Sequence, residues 1–297
     1  MDVVGLIQQG KIKRYFRSRE KLSYPGAINH ITQRAPGRER LFVEESDYSY
    51  MLHLLKNSAE QFKLRFFSFV LMSNHVHLLF QLQKDNLSQA MQRLFYTYAR
   101  YFNRKYQKKG HAVCGRYRQA LCFDDTYLLA SSIYIHINPV VAGLAKSSED
   151  YRWSSIIPFT MPFSKQTFVD YRFVLAILDN DIESARLTYK ELMNRSISIK
   201  VGNIWDDQRA IDRFRDRFLL PLRDIIDCSK NTESAIVIDS AIDDFTKHKH
   251  KRSPVSRAAR MYVIAQLVAK GYTITEIAQK LEISKRTVYN IVNSDQS

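Results

Sequence analysis

Cysteine is scarce. The 297 residues hold three, Cys114, Cys122 and Cys228. The number is odd and the spacing fits neither a disulfide framework nor a zinc site, so all three are expected to be reduced and structural. No run of about 18 apolar residues exists, which excludes a spanning helix. The opening "MDVVGLIQQGKIKRYF" lacks the apolar core and cleavage site of a secretory signal. A cytoplasmic, nucleoid-associated protein with no membrane partner is expected. Internal repeats and low-complexity tracts are absent too. Acidic residues are outnumbered, 30 Asp and Glu against 45 Lys and Arg, giving a net charge of +15. Such an excess attracts polyanions, most simply nucleic acid. What is plentiful is core material: 45% hydrophobic and 12% aromatic residues, enough for one large domain or two smaller ones.

Residues 1–22 are basic and carry little periodicity. "YPGAINHITQR" alternates Ala27, Asn29 and Ile31 against Ile28, His30 and Thr32, as a strand does. "EESDYSYMLHLLKNSAEQF" has helical spacing, with Ser46 or Asp47 as its cap. "LRFFSFVLM" and "HVHLLFQL" read as paired strands around the turn "SN". "NLSQAMQRLFYTYARYFNRKY" is an amphipathic helix with Leu87, Met91, Leu94, Phe95, Tyr98 and Phe102 on its apolar side. "YRQALCF" is a fourth strand, and "DTYLLASSIYIHIN" is a helix expected to stop at Pro139. The βαββαβ order predicts an α+β fold with a ferredoxin-like antiparallel sheet, followed by a further helix. Helices on one face of that sheet would leave the other face free. Three regions are expected: 1–160 built on the sheet, a helical middle region over 161–245, and 246–297.

The last region carries a helix-turn-helix. Thr273 and Glu276 have capping-box spacing. Ile277, Ala278 and Leu281 form a buried face, "LEIS" turns, and Ser284 caps the next helix. With Val288, Ile291 and Val292 inward, Lys285, Arg286, Tyr289 and Asn290 face out, near a helix start that can enter a major groove. Arg and Asn suit base edges, while Lys and Tyr suit phosphates.

In "LMSNHVHLLF", His75 and His77 share one strand face while Val76, Leu78, Phe80 and Leu82 take the other. Two imidazoles side by side are a bidentate metal site; hydrogen-bonded surface histidines are the plain alternative. A metal on a basic sheet suits phosphate chemistry, with water or a tyrosine as nucleophile. In "SSIYIHINPVVAG", Tyr134 and Asn138 lie four apart on one helical face. They offer a phenol and an amide oxygen, or else a packing residue and an ordinary helix stop. Aromatics interleaved with Arg and Lys in "RLFYTYARYFNRKYQKKGH" and "CGRYRQ" suit stacked bases and phosphates, with Arg116 and Arg118 as the foremost phosphate contacts.

Four motifs in one order, "YPGAINHITQR", "LMSNHVHLLF", "GRYRQALCF" and "YIHINPVVAGL", resemble the single-tyrosine HUH transposases of the IS200-like group, most nearly the REP-associated tyrosine transposases. The resemblance covers about residues 20–155. It implies cleavage and rejoining of single-stranded DNA at hairpin-flanked sites through a covalent 5′-phosphotyrosine. His75 and His77 are then the metal pair, Tyr134 the nucleophile and Asn138 a third ligand, with Mg2+ or Mn2+ as the ion. The resemblance admits a homodimer, and it says nothing of what the helix-turn-helix binds. Duplex DNA is the partner expected there. His136, close to Tyr134, has no assigned role. Two other readings compete: a domesticated regulatory protein acting through the helix-turn-helix, and a metal-dependent phosphodiesterase using water.

Overall fold

Alternation, rather than composition, sets the strands, and their pairing builds one sheet. The structure, a computed structural model, describes residues 15–16, 21, 23–37, 39–122, 125–162, 166–197, 264, 267 and 272–293. The elements, in chain order, are β1 (Tyr15–Phe16), β2 (Ile28–Arg34), α1 (Glu45–Phe62), β3 (Leu64–Met72), β4 (His75–Leu82), α2 (Leu87–Lys105), β5 (Arg118–Cys122), α3 (Asp125–Val141), α4 (Ile157–Thr160), α5 (Tyr171–Leu175), α6 (Ile182–Ile197), α7 (Ile274–Lys280) and α8 (Lys285–Asn293). The sheet order is β1-β5-β2-β4-β3, and every neighbouring pair is antiparallel. From β2 to β5 this is the ferredoxin-like βαββαβ arrangement expected from the sequence. The two-residue β1 adds an outer strand within the basic opening stretch.

Helix α1 starts differently from the cap expected at Ser46 or Asp47. Its N-cap is Glu44, and Asp47 reaches back to accept from the Val43 and Glu44 amides at 2.9 and 3.0 Å. A carboxylate near a helix start also complements the peptide dipoles. Helix α3 runs two residues past Pro139, to Val141. Proline removes only one donor and its φ is helical, so the last turn accommodates it.

Strands β3 and β4 meet in a tight hairpin in which Met72 pairs with His75. The turn between them is anchored from outside. Ala35 N–H donates to the Asn74 carbonyl at 2.9 Å, and the Leu41 and Phe42 amides donate to the Ser73 carbonyl at 2.8 and 3.1 Å. The far edge of β3 is covered by chain: Leu71 N–H donates to Trp153 O, Ser155 N–H to Phe69 O and Asp170 N–H to Phe66 O. Covered edges do not template pairing with other chains.

Among the described residues, both faces of the sheet carry packed chain. Val76, Leu78, Phe80 and Leu82 are fully buried on one side. On the side carrying His75 and His77, α3 packs down, its Ser132 hydroxyl 2.6 Å from that of Ser68. The face expected to be open is partly covered because α3, after β5, is apolar nearly all round and must bury that surface; Arg34, His75 and Arg118 stay partly exposed on it. Residues 166–197 join the same core: Val174, Leu178, Ala185, Tyr189, Leu192 and Met193 pack with Phe66, Phe67 and Ile133.

Helices α7 and α8 form the helix-turn-helix around Ile264, Leu267, Ile277, Ala278, Leu281 and Val288. The Thr273–Glu276 capping box is present: Thr273 N–H donates to Glu276 Oε2 at 2.7 Å and Glu276 N–H to Thr273 Oγ1 at 3.3 Å. Ser284 Oγ accepts from Thr287 N–H at 3.1 Å, capping α8. Most of the expected middle region, all of the basic linker near Pro254, Cys228 and the Val292 side chain lie outside the described residues. No described helix is long and apolar enough to cross a membrane.

Candidate active site

Strand period places His75 and His77 on one face, and the register decides what surrounds them. Thr32 lies opposite His77 and Arg34 opposite His75 on β2. Thr32 is in turn opposite Arg118 on β5. Directly opposed residues share a face, so Arg118, Thr32 and His77 form one row and Arg34 sits beside His75. Two strand spacings, roughly 9–10 Å, separate the Arg118 and His77 backbones.

The two rings of the His-Val-His motif meet edge to face, with centroids 4.9 Å apart. From the helix above, the Tyr134 ring meets His77 edge to face at 5.9 Å. Tyr134 lies on α3, whose Ile133, Ile135 and Ile137 are buried in the core and fix the helix on the sheet. The structure therefore brings together His75, His77 and Tyr134, the histidines more than fifty residues before the tyrosine in the chain. Asn138 lies one turn along α3, half-buried, and its Nδ2 donates to the Tyr134 carbonyl at 2.6 Å.

Burial governs the electrostatics. His77 is fully buried. Burial, then the neighbouring His75 and His30, holds its pKa well below the usual histidine range. Burial and then the Arg34 charge bring His75 down to about 4. Both rings are neutral at pH 7, the form that ligates metal. Among the described residues, no group of three or more His, Cys, Asp and Glu side chains could hold a metal ion. The donor set is nonetheless chemically coherent. Two neutral imidazoles in contact suit Mn2+ better than Mg2+, which prefers all-oxygen ligands. The bond to the Tyr134 carbonyl engages the Asn138 nitrogen and leaves its amide oxygen as a further donor atom; water or a phosphate oxygen would complete the shell.

Three nearby residues were not singled out from sequence. His30, on β2, points its Nε2 at His77 Nδ1, 3.0 Å away. Asn74 Oδ1 lies 2.6 Å from His75 Nδ1. Arg34 completes the group. The alternation in "INHITQR" put His30 on a strand face, but only the β2–β4 register shows that this is the face of His77. His136 belongs elsewhere: its ring bonds Tyr189 OH and Ser155 Oγ, both at 2.8 Å.

Arg116 is exposed and Arg118 half-buried at the start of β5. Lys21 Nζ donates to the Tyr117 carbonyl at 2.7 Å. Burial, and then Arg116, pulls the Lys21 pKa down to about 8. The α2 aromatics expected to stack bases are mostly committed inside. Tyr98 OH donates to Leu41 O, and the Tyr101 and Tyr106 hydroxyls donate to Asp47; Tyr96 is exposed. In the helix-turn-helix, Lys285, Arg286, Tyr289 and Asn290 are all exposed on α8.

Residues 24–137 match the family model of IS200-like transposases, and residues 254–294 match that of homeodomain-like domains. No curated protein matches the chain. A solved structure of a REP-associated tyrosine transposase bound to a REP hairpin is similar, at 17% identity and a TM-score of 0.41, over 47% of this chain and 82% of that one. The segment that carries the histidine strand and the tyrosine helix is thus similar to the IS200-like transposases, and residues 254–294 are similar to homeodomain-like domains.

Proposed function

We propose that this protein is a transposase, a metal-dependent single-tyrosine strand transferase acting on single-stranded DNA near hairpins. The observation that supports it best is the meeting of Tyr134 with the His75–His77 pair. The Tyr134 oxygen attacks the scissile phosphorus. A bond from tyrosine oxygen to phosphorus forms, the bond from phosphorus to the 3′ oxygen breaks, and the departing 3′ oxygen takes up a proton. The product is a 5′-phosphotyrosine, which a second 3′-hydroxyl reverses in rejoining. A phenol has an ordinary pKa near 10, so its proton must leave as the bond forms. Mn2+ or Mg2+ held by His75 and His77, with Asn138 as a third ligand, would polarise a phosphate oxygen. Arg34 and Arg118 share the sheet face of that pair and supply cationic contacts for phosphates, and Arg116 adds an exposed one. Hairpin-flanked single strands as substrate rest on the motif resemblance. The helix-turn-helix adds duplex binding, with Arg286 and Asn290 at base edges and Lys285 and Tyr289 on phosphates.

The test is covalent trapping. A hairpin-bearing single-stranded oligonucleotide incubated with protein and Mn2+ is expected to give an adduct that survives denaturation. Tyr134→Phe should abolish the adduct while DNA binding persists. An adduct of undiminished yield from Tyr134→Phe removes Tyr134 as nucleophile. Free 5′-phosphate ends with no adduct point to water instead. Metal-indifferent duplex binding with no cleavage points to a regulatory protein.

A further inference from the structure

Imidazole ligates a metal through a nitrogen without a proton, so a histidine pair is useful only if both rings carry their proton on the other nitrogen. Each histidine of the pair has a partner at Nδ1, and the partners come from different elements. Asn74 Oδ1, on the hairpin turn, lies 2.6 Å from His75 Nδ1. An amide oxygen has no proton to give, so His75 donates from Nδ1 and keeps its lone pair on Nε2. The turn that carries Asn74 is held by the Ala35 amide, which fixes where that oxygen stands. On the neighbouring ring, His30 Nε2 lies 3.0 Å from His77 Nδ1. Two neutral rings share one proton there. If His30 donates, the His77 proton sits on Nε2 and blocks ligation. If His77 donates, its Nε2 keeps a lone pair. His30 Nδ1 is buried with no hydrogen-bond partner among the described residues in either case, so that cost does not decide between the two; ligation does.

We infer that Asn74 and His30 are positioning residues that hold His75 and His77 as Nδ1–H tautomers, aiming both Nε2 atoms at one cation. The inference deepens the metal reading above and rests on it. Partners of this kind orient a ligand ring and raise its basicity, and their loss typically weakens metal binding about 10- to 100-fold.

Mn2+ binding to the full chain, followed by electron paramagnetic resonance of the free ion, tests this. Asn74→Ala and His30→Leu should each weaken binding about 10- to 100-fold. Asn74→Asp and His30→Gln keep an acceptor oxygen and should restore most of it. Long-range 1H–15N spectra of the wild-type histidines with diamagnetic Mg2+ added should show protons on Nδ1 of both rings. A proton on Nε2 of either ring overturns the assignment. So does wild-type affinity in folded Asn74→Ala, or a loss that Asn74→Asp does not repair, since the shape of the turn would then be at issue. Asn74 is exposed, so its variants carry the test even if the buried His30→Leu does not fold. His75→Ala separates the two claims. If it binds Mn2+ as wild type does, the metal reading fails, and the tautomer spectra alone decide the positioning.

Discussion

Asp47 carries a charge with no exposed side-chain surface. Burial alone would raise its pKa, but the Lys105 ammonium, the Glu44 amide, the Tyr106 hydroxyl and the Val43 amide outweigh it and bring it to about 2. The Lys105 nitrogen is 2.8 Å away. A folded-state pKa below the unfolded value adds stability that is fully present above about 4 and lost as pH falls through about 2. The shift corresponds to about 2 kcal/mol. Thermal melting should therefore show a steep loss between pH 4 and 2 that Asp47→Asn flattens. Asp47→Ala should cost about 3 kcal/mol at pH 7, because two tyrosine hydroxyls lose their acceptor and Lys105 loses one of its two carboxylates. An unchanged unfolding midpoint in Asp47→Ala would show that the cluster contributes nothing net. From sequence, Asp47 was legible only as a cap; its bonds to Tyr101, Lys105 and Tyr106 depend on how α2 crosses α1.

At the scale of elements, a buried chain of hydroxyls and one imidazole ties the tyrosine helix to its surroundings. Ser68, Ser132, Tyr189, His136 and Ser155 follow one another at 2.6 to 2.8 Å. Its direction can be derived. The Phe69 carbonyl can only accept, so Ser155 donates to it, at 3.3 Å. His136 then donates from Nε2 and accepts at Nδ1 from Tyr189, which accepts from Ser132, which accepts from Ser68. The chain links β3, α3, the edge segment and α6, so α6 helps to hold the helix that carries Tyr134. Tyr189→Phe leaves His136 Nδ1 without its donor and should destabilise the fold by about 1–3 kcal/mol, read from urea unfolding. The Ser132→Ala change should be markedly non-additive with it, because both act in one network. Additive effects would mean that the hydroxyls act separately. The sequence showed a helical middle region, in which α6 lies. It could not show that α6 lies on α3, since no local pattern encodes which faces meet.

For the whole molecule, two segments with different likenesses follow one another along the chain: residues 24–137, similar to IS200-like transposases, and residues 254–294, similar to homeodomain-like domains. Shortening the chain to remove residues 254–297 should lower affinity for duplex DNA while leaving adduct formation on a single-stranded hairpin largely intact. Competition binding at fixed salt measures the first, since affinities shift steeply with ionic strength. Equal duplex affinity with and without residues 254–297 would contradict a DNA role for the exposed face of α8.

The periods 2 and 3.6 are local properties, so the strands from β2 to β5, the main helices and the helix-turn-helix were readable from the chain, as was the sharing of a face by His75 and His77. The same local rules put Tyr134 and Asn138 one turn apart. Register and packing are not local. Which strand stands beside β4, and how α3 lies across it, depends on burying many apolar side chains at once. Only the tertiary structure therefore set His30 against His77, Arg34 beside His75 and the Tyr134 ring against His77, and partly covered the face that periodicity alone left open.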